Sequence, residues 1–493
     1  MKRFMIFVIV INLVFTNCEI FSGSNALEKF VENEEKILSE FEVFIKKLQD
    51  ENDYLMSKLQ SWKDEYSQVK KDPIKYINNP INAFHVIKRT TEDIDLFELR
   101  IKKLIDQFTS SISSIRATNN DLTGTVEGIM RLQTIYHLKT ADIINGIIDG
   151  DKTNEKLKPH DLFTIAREGL KIQDKSYFVH EYLYHLQKSL ENNEDEFDEV
   201  DLDEFSEIVE ITLNSTMIDP FDESFEKNGA YTVHKENVIY SQGCRQKIQK
   251  TPKEAKDLKC RYVSNSAFSK IAPFKVIEAD HHSNLVVFLD VISDNEIEMI
   301  KNISSSKLGR GGVFVEEKST KTGFSNTRVS QISWHYEHEH EIVARISRRV
   351  EDMTGLSTKT AEPLQVQNYG IAGHYSLHWD HMIWRNEPFN LGTGNRIATL
   401  LFYISTVEKG GGTIFPFLKV YVPAIKGSAA FWYNLKDSGD DDYHTRHASC
   451  PVILGSKWVI NKWFHEYDQE FRRPCKPGIY KQEIEDEFTK EFY

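Results

Sequence analysis

The sequence predicts an α+β multidomain chain, helical in its first half and built of short strands in its second. Three observations carry that reading. Residues 27–62 and 83–115 space their apolar side chains at helical intervals. From about residue 271 the pattern changes to short stretches rich in Val, Ile, Phe, Tyr and Trp with turn residues between them. And 493 residues exceed what one hydrophobic core ordinarily serves.

Taken in order, Lys2 and Arg3 precede an apolar run from Phe4 to Phe15 broken only by Asn12. Residues 1–18 are therefore expected to be a signal peptide, cleaved between 18 and 24. The run is short for a bilayer span, and polar sequence begins at Thr16, which disfavours an uncleaved anchor. No second segment has the length and apolarity to cross a membrane.

Leu27, Phe30, Ile37, Phe41, Phe44, Leu48, Leu55, Leu59 and Trp62 form a heptad-like stripe with Lys and Glu between. It predicts a long helix that pairs with a copy of itself or packs inside its own domain. Asp72-Pro73 and Asn79-Pro80 break that helix, and 83–115 resumes the pattern. Residues 159–190 read as a helical pair carrying Tyr177, Phe178, Tyr182 and Tyr184. Aromatics at helical spacing are core, and a tyrosine-lined peptide groove is the sharper alternative. The acidic run over 191–210 is expected to be a solvated linker or exposed edge; its ligand order does not match a calcium loop.

In the second half, N-L-V-V-F-L-D-V-I, A-T-L-L-F-Y-I-S, G-G-T-I-F-P, S-A-A-F-W-Y-N and K-W-V-I-N-K-W-F predict strands of a sandwich or barrel, with helices over 294–303 and 338–353 outside it. The formal charge of -14 and the lack of a basic patch argue against a nucleic-acid partner. With Cys18 removed, Cys244, Cys260, Cys450 and Cys475 remain. An even number in an exported chain suggests two disulfides. Pairing sequence neighbours gives Cys244 with Cys260 and Cys450 with Cys475, although spacing alone allows three pairings. Asn214 and Asn302 lie in glycosylation sequons.

Chemistry concentrates in H-Y-S-L-H-W-D-H. His378 and Asp380 are two apart, so on an extended strand both point to one face. A third histidine from a distant strand would complete the facial triad that holds iron(II) and leaves positions open for a chelating cosubstrate and O2. His374, His381, His444 and His465 lie nearby and read as polar decoration; His444, at odd spacing from His447, would face away. His447 precedes Lys457 by ten residues across a Gly455-Ser456 turn, which places the two on neighbouring strands. A buried lysine there needs a carboxylate, which a dicarboxylate cosubstrate would supply.

From 271 to 474 the sequence resembles the alpha subunits of animal collagen prolyl 4-hydroxylases. T-A-E-P-L-Q-V-Q-N-Y-G, H-W-D, L-G-T-G-N-R-I-A-T, G-G-G-T-I-F-P, G-S-A-A-F-W-Y-N-L, T-R-H-A-S-C-P-V and K-W-V-I-N-K-W-F-H occur in family order. The resemblance implies Fe(II) on His378, Asp380 and His447, with Lys457 gripping the distal carboxylate of 2-oxoglutarate. It also implies Tyr369 and Thr413 as cosubstrate contacts, Trp463 near the substrate proline, and L-ascorbate as reductant. For Tyr369, Trp463 and Thr413 the plain alternative is a core aromatic or an ordinary strand residue.

Upstream, N-N-P-I-N-A-F-H-V-I-K-R and G-I-M-R-L-Q-T-I-Y-H-L resemble the family's dimerisation region, and L-K-P-H-D-L-F-T-I-A with D-K-S-Y-F its tetratricopeptide-like (TPR-like) peptide-binding domain, shortened after Leu190. The implied plan is a dimerisation domain over 25–150, a peptide-binding domain over 155–235 with Tyr177 in its groove, and a catalytic domain over 236–480. Its oxygenase core would be a jelly roll, the double-stranded β-helix, over 362–466. The implied partner is protein disulfide isomerase in an alpha2beta2 tetramer in the endoplasmic reticulum lumen. The implied reaction is 4-hydroxylation of proline in procollagen X-Pro-Gly repeats. Two alternatives stay open: a hydroxylase of another secreted proline-bearing protein, and a non-catalytic peptide-binding subunit.

Overall fold

The structure, a computed structural model, describes residues 19–476 apart from 173–174, 192–201, 215–220, 222–230, 265, 282, 315–321, 324 and 383–391. The expected signal residues 1–18 lie outside the described residues. The chain forms two compact units, Leu27–Thr118 and the remainder. Among the described residues no helix is long and apolar enough to cross a membrane.

The Leu27–Thr118 unit is helical: α1 (Ser24–Val69), α2 (Pro73–Ile77), α3 (Pro80–Thr90) and α4 (Glu92–Ile112). The two prolines start α2 and α3 at the first helical position, where a missing N–H costs nothing, and Asp72 and Asn79 cap them. Part of the α1 stripe packs inside this unit. Phe44 stacks on Phe108 at 4.7 Å between ring centroids, and Trp62 meets Phe97 at 5.5 Å. Glu51, buried on α1, accepts two hydrogen bonds from the Arg100 guanidinium. Leu38 and Leu59 of α1, with Ile81, Phe84 and Ile87 of α3, stay exposed.

In the second unit α5 (Asn119–Tyr136), α6 (Pro159–Gly169), α7 (Ser176–Glu191) and α8 (Leu202–Leu213) share a core of Val126, Met130, Phe163, Phe178, Tyr182, Leu186 and Ile208. The second half of the acidic stretch is thus no linker. Ile208 and Thr212 turn one side of α8 inward while its acidic residues take the other.

Among the described residues three two-stranded pairs stand apart, and the thirteen other strands form two antiparallel sheets, one of nine strands and one of four. In chain order they are β1 (Cys260–Val263), β2 (Phe274–Asp280), β3 (Leu285–Leu289), β4 (Gly309–Arg310), β5 (Gln331–His335), β6 (Leu364–Tyr369), β7 (Tyr375–His378), β8 (Arg396–Tyr403), β9 (Thr413–Phe415), β10 (Val420–Val422), β11 (Ala429–Tyr433), β12 (His447–Ser449) and β13 (Lys457–His465). The large sheet runs β1-β2-β3-β11-β8-β13-β6-β5-β4 and the small one β7-β12-β9-β10. Each of the five strand motifs read from the sequence supplies a strand. The central strands are apolar on both faces because both are covered. Leu364, Val366, Leu400, Phe402, Ile460 and Phe464 pack beneath α10 (Asp294–Ser305) and α11 (Glu341–Thr354). Their alternates Leu401, Tyr403, Trp432 and Val459 face Phe415 and Val422 of the small sheet. Period-two alternation therefore sends Lys457 and Trp463 to the same inner face as Val459.

The neighbour pairing of cysteines is wrong. Cys244 ends α9 (Tyr231–Cys244), which lies against β9 closely enough that a Cβ on Gly243 would stand 2.5 Å from Ile414. That packing brings Cys244 to Cys450, just beyond β12, with a Cα–Cα distance of 5.5 Å, and the two form a disulfide. Cys260, on the edge strand β1, and Cys475 are exposed free thiols. Tertiary contact between α9 and the small sheet, rather than separation along the chain, decides the pairing.

Candidate active site

β7 and β12 run antiparallel with His378 and His447 as direct partners, so two residues 69 positions apart in sequence meet by register. Their ring centroids are 4.3 Å apart. Asp380 does not share a strand with His378 as the sequence parity assumed: β7 ends at His378, with a register shift before it. Asp380 is brought back by Thr399 of β8, whose hydroxyl donates to its Oδ2 at 2.7 Å, and Asn434 donates to Thr399 in turn at 2.9 Å. The result is one convergent set. His378 Nε2 lies 3.7 Å from Asp380 Oδ1, and His447 Nε2 lies 3.7 Å from Asp380 Oδ2.

Both imidazoles are oriented from behind. Nδ1 of His378 is 2.7 Å from the carbonyl of Ser376, and Nδ1 of His447 is 2.9 Å from that of Thr445. A carbonyl only accepts, so each Nδ1 carries a proton and each Nε2 is the nitrogen turned inward. Burial holds the His378 imidazole well below its ordinary range, His447 adding to the effect, which keeps it neutral. Burial opposes ionisation of Asp380. The imidazoles of His447 and His378 and the Arg396 guanidinium outweigh it and keep the carboxylate charged. Among the described residues this is the one cluster with ligand atoms placed for a metal, all within 4.8 Å of one another. Two imidazoles and one carboxylate fit a facial site for iron(II) with open positions.

Lys457 is 1% exposed and directly opposite Tyr369 in the β6–β13 pairing. It does not sit on a strand neighbouring His447 as expected: His447 belongs to the small sheet and Lys457 to the large one, and the two face each other across the core. Nζ of Lys457 donates to Ser449 Oγ at 2.6 Å and lies 4.8 Å from the Tyr369 ring centroid. Among the described residues no carboxylate is within ion-pair reach of it. Burial pulls its ammonium down to about 7. Thr413, the register partner of Ser449, accepts a hydrogen bond from Tyr403 at 2.7 Å. Lys457, Ser449, Thr413, Tyr369 and Tyr403 thus gather beside the triad, an ammonium among neutral donors suited to a carboxylate.

Trp463 lies beneath the Arg396 guanidinium at 4.2 Å, and Arg396 makes a two-pronged pair with Glu362. Burial alone would raise the Glu362 carboxyl, but Arg396 and His465 bring it down to about 2. Tyr375 stacks on His378 with centroids 3.6 Å apart. No role was read for Tyr375, Glu362, Arg396, Thr399, Tyr403 or Ser449 from sequence. Glu362, Arg396 and Thr399 stand inside the motifs T-A-E-P and G-N-R-I-A-T, which was the available signal.

The four other histidines are structural rather than decorative. His374 is buried between Tyr240 and the Asn326 carbonyl, His381 is buried beside Trp379 and Tyr443, and His465 binds Thr393 and Glu362. His444 lies in the turn Tyr443–Thr445 against Asp442 and on no strand. Away from this site, Tyr177 is half-buried on α7, edge-on to Phe178 at 5.5 Å and to Phe221 at 5.7 Å, which places it with the helical core. Asn214 and Asn302 are exposed.

Residues 24–150 match the family model described as the N-terminal region of the prolyl 4-hydroxylase alpha subunit, and residues 364–465 that of the 2OG-Fe(II) oxygenase superfamily. Prolyl 4-hydroxylase subunit alpha-1 of Rattus norvegicus is 33% identical over 92% of this chain and 95% of its own length. The chain belongs to the prolyl 4-hydroxylase alpha-subunit family. Subunit alpha-2 of Caenorhabditis elegans is 34% identical over 84% of this chain and 85% of its own. A solved viral collagen prolyl hydroxylase from Paramecium bursaria chlorella virus-1, in complex with 2OG, aligns at 25% identity over 36% of this chain and 94% of its own, with a TM-score of 0.30. As a member of this alpha-subunit family carrying the oxygenase domain, the chain is an iron(II)- and 2-oxoglutarate-dependent dioxygenase.

Proposed function

We propose that this alpha subunit hydroxylates C4 of peptidyl proline in X-Pro-Gly sequences of procollagen type, with iron held by His378, Asp380 and His447. The observation that carries the reading is the convergence of two inward Nε2 atoms and one carboxylate beside a buried ammonium that has no carboxylate partner among the described residues. Iron(II) with 2-oxoglutarate and O2 supplies an oxidant that places one oxygen atom on carbon, while 2-oxoglutarate is converted to succinate and CO2. The chain's own residues hold and orient. Lys457 meets the distal carboxylate of 2-oxoglutarate, with Tyr369 and Thr413 beside it. Ser376 and Thr445 fix the imidazoles through their carbonyls, and Thr399 fixes Asp380. Trp463, held flat by Arg396, offers an aromatic face to the proline ring.

Proline-rich peptides are pre-ordered as polyproline II, so a rigid groove loses little entropy in binding one. We infer that the two sheets constitute the jelly roll of the oxygenase core and that the helices over 155–235 are the TPR-like peptide-binding domain, with Tyr177 contributing to its groove. The exposed apolar residues of α1 and α3 suit self-association of the 25–150 region. The same reading includes L-ascorbate as reductant, protein disulfide isomerase as partner in an alpha2beta2 tetramer, the endoplasmic reticulum lumen as location, and glycans on Asn214 and Asn302. Succinate release measured with (Pro-Pro-Gly) peptides and with unrelated secreted proline-bearing peptides tests it. Strong turnover on the first is expected. Turnover on the second alone would move the substrate class, and no turnover on either would favour a non-catalytic subunit.

A further inference from the structure

Residues 19–25 are built into the catalytic unit although they lie more than 300 positions from its oxygenase strands. Phe21 is 6% exposed and Ser22 fully buried. The Phe21 carbonyl accepts from Ile371 N at 3.0 Å, and a Cβ on Gly370 would stand 1.9 Å from that same oxygen. Glycine at 370 is thus what lets the segment approach the end of β6. A Cβ on Gly124 of α5 would likewise come within 2.4 Å of the Phe21 ring. Further along, Asn25 N donates to Asn368 Oδ1 at 2.9 Å, Asn368 Nδ2 donates to Ser24 Oγ at 2.8 Å, and Ser24 Oγ lies 2.6 Å from Ser456 Oγ.

The bonds end at particular places. Asn368 and Gly370 flank Tyr369, and Ser456 immediately precedes Lys457. Tyr369 and Lys457 are themselves register partners, so the segment braces both members of the pair from outside the site. None of its bonds reaches His378, Asp380 or His447. We propose that residues 19–25 are a positioning hook for 2-oxoglutarate, fixing the backbone from which Tyr369 and Lys457 reach the cosubstrate while leaving the metal ligands alone. This rests on the reading of Lys457 as the cosubstrate's anchor. It also gives the leader's cleavage position a functional consequence. A cut after Cys18 keeps the hook, and a cut before Ser24 removes it.

The test uses the full assembly with chains beginning at Glu19 or at Ser24, together with Phe21→Ala, Phe21→Leu, Ser456→Ala and Lys457→Met. Manganese(II) replaces iron so that binding is read without turnover, by calorimetric titration of the metal and then of 2-oxoglutarate. Hydrogen exchange over 364–373 is followed in parallel. The expected result is a loss of about tenfold or more in 2-oxoglutarate affinity for the Ser24 chain and Phe21→Ala, with manganese affinity unchanged. Faster exchange at 369–371, a smaller loss for Ser456→Ala and recovery in Phe21→Leu complete it. Unchanged 2-oxoglutarate affinity in Phe21→Ala while Lys457→Met abolishes it would overturn the hook alone. Metal and cosubstrate affinity falling together would overturn it too, since the segment would then serve general folding. Undiminished 2-oxoglutarate binding in Lys457→Met would overturn the hook and the anchor reading with it.

Discussion

Replacing Lys457 by Met should strengthen the fold while destroying the site, a combination that separates a binding residue from a structural one. The side chain is fully enclosed, and among the described residues a hydroxyl and an aromatic ring lie beside its ammonium. A fall from the ordinary 10.5 to about 7 corresponds to about 5 kcal/mol of disfavour for the charged form. Because the folded value lies below the unfolded one, this cost is full below pH 7. It shrinks as pH rises from 7 toward 10.5 and vanishes above, where the amine is neutral in both states. Met matches the linear shape without the charge, and relaxation around such replacements leaves about 1–4 kcal/mol of the gain. Unfolding of the metal-free, 2-oxoglutarate-free protein by urea at pH 6.5 and 9.5 is the assay. Lys457→Met should be the more stable at pH 6.5 and keep only about a third of that advantage at pH 9.5, and it should lose 2-oxoglutarate binding by about a hundredfold or more. A Met variant less stable than the parent at pH 6.5 would refute the reasoning, because the ammonium would then have a hidden partner.

Thr399→Val removes the donor that returns Asp380 to the two imidazoles and should weaken iron(II) affinity about 10- to 100-fold, read by metal titration, with secondary structure by circular dichroism unchanged. Cys244→Ser opens a covalent loop spanning 206 residues and should lower stability by about 5 kcal/mol on the loop-entropy account, whereas Cys260→Ser and Cys475→Ser should stay within about 0.5 kcal/mol; thermal unfolding of the three variants checks both.

What was legible in the sequence was decided locally. The stretches around Leu285, Leu400, Phe431 and Ile460 carry β-branched and aromatic runs bounded by turn residues, and they became strands of the large sheet. Pro73 and Pro80 start helices because a proline at the first helical turn is tolerated wherever the rest of the chain goes. That His378, Asp380 and His447 converge was likewise readable, because family motifs surround them. Their geometry was not. Strand parity put His378 and Asp380 on one strand, the Gly455-Ser456 turn put His447 and Lys457 on neighbouring strands, and neither arrangement occurs.

The errors share one cause. Parity and spacing describe neighbours along the chain, whereas a site on two facing sheets is assembled from register partners: His378 with His447, Thr413 with Ser449, Tyr369 with Lys457. The cysteines failed for the same reason, since Cys450 meets Cys244 across 206 residues and Cys260, only 16 away from Cys244, stays outside on an edge. Residues 19–25 extend the point. Read linearly, I-F-S-G-S falls in the interval expected to hold the leader's cleavage point and carries no sign of a long-range contact. The close approach permitted by Gly370 and Gly124 is what lets Phe21 pack between the end of β6 and α5. Glycines that admit another backbone or ring, rather than residues that carry chemistry, are therefore where a sequence of this kind hides its long-range contacts.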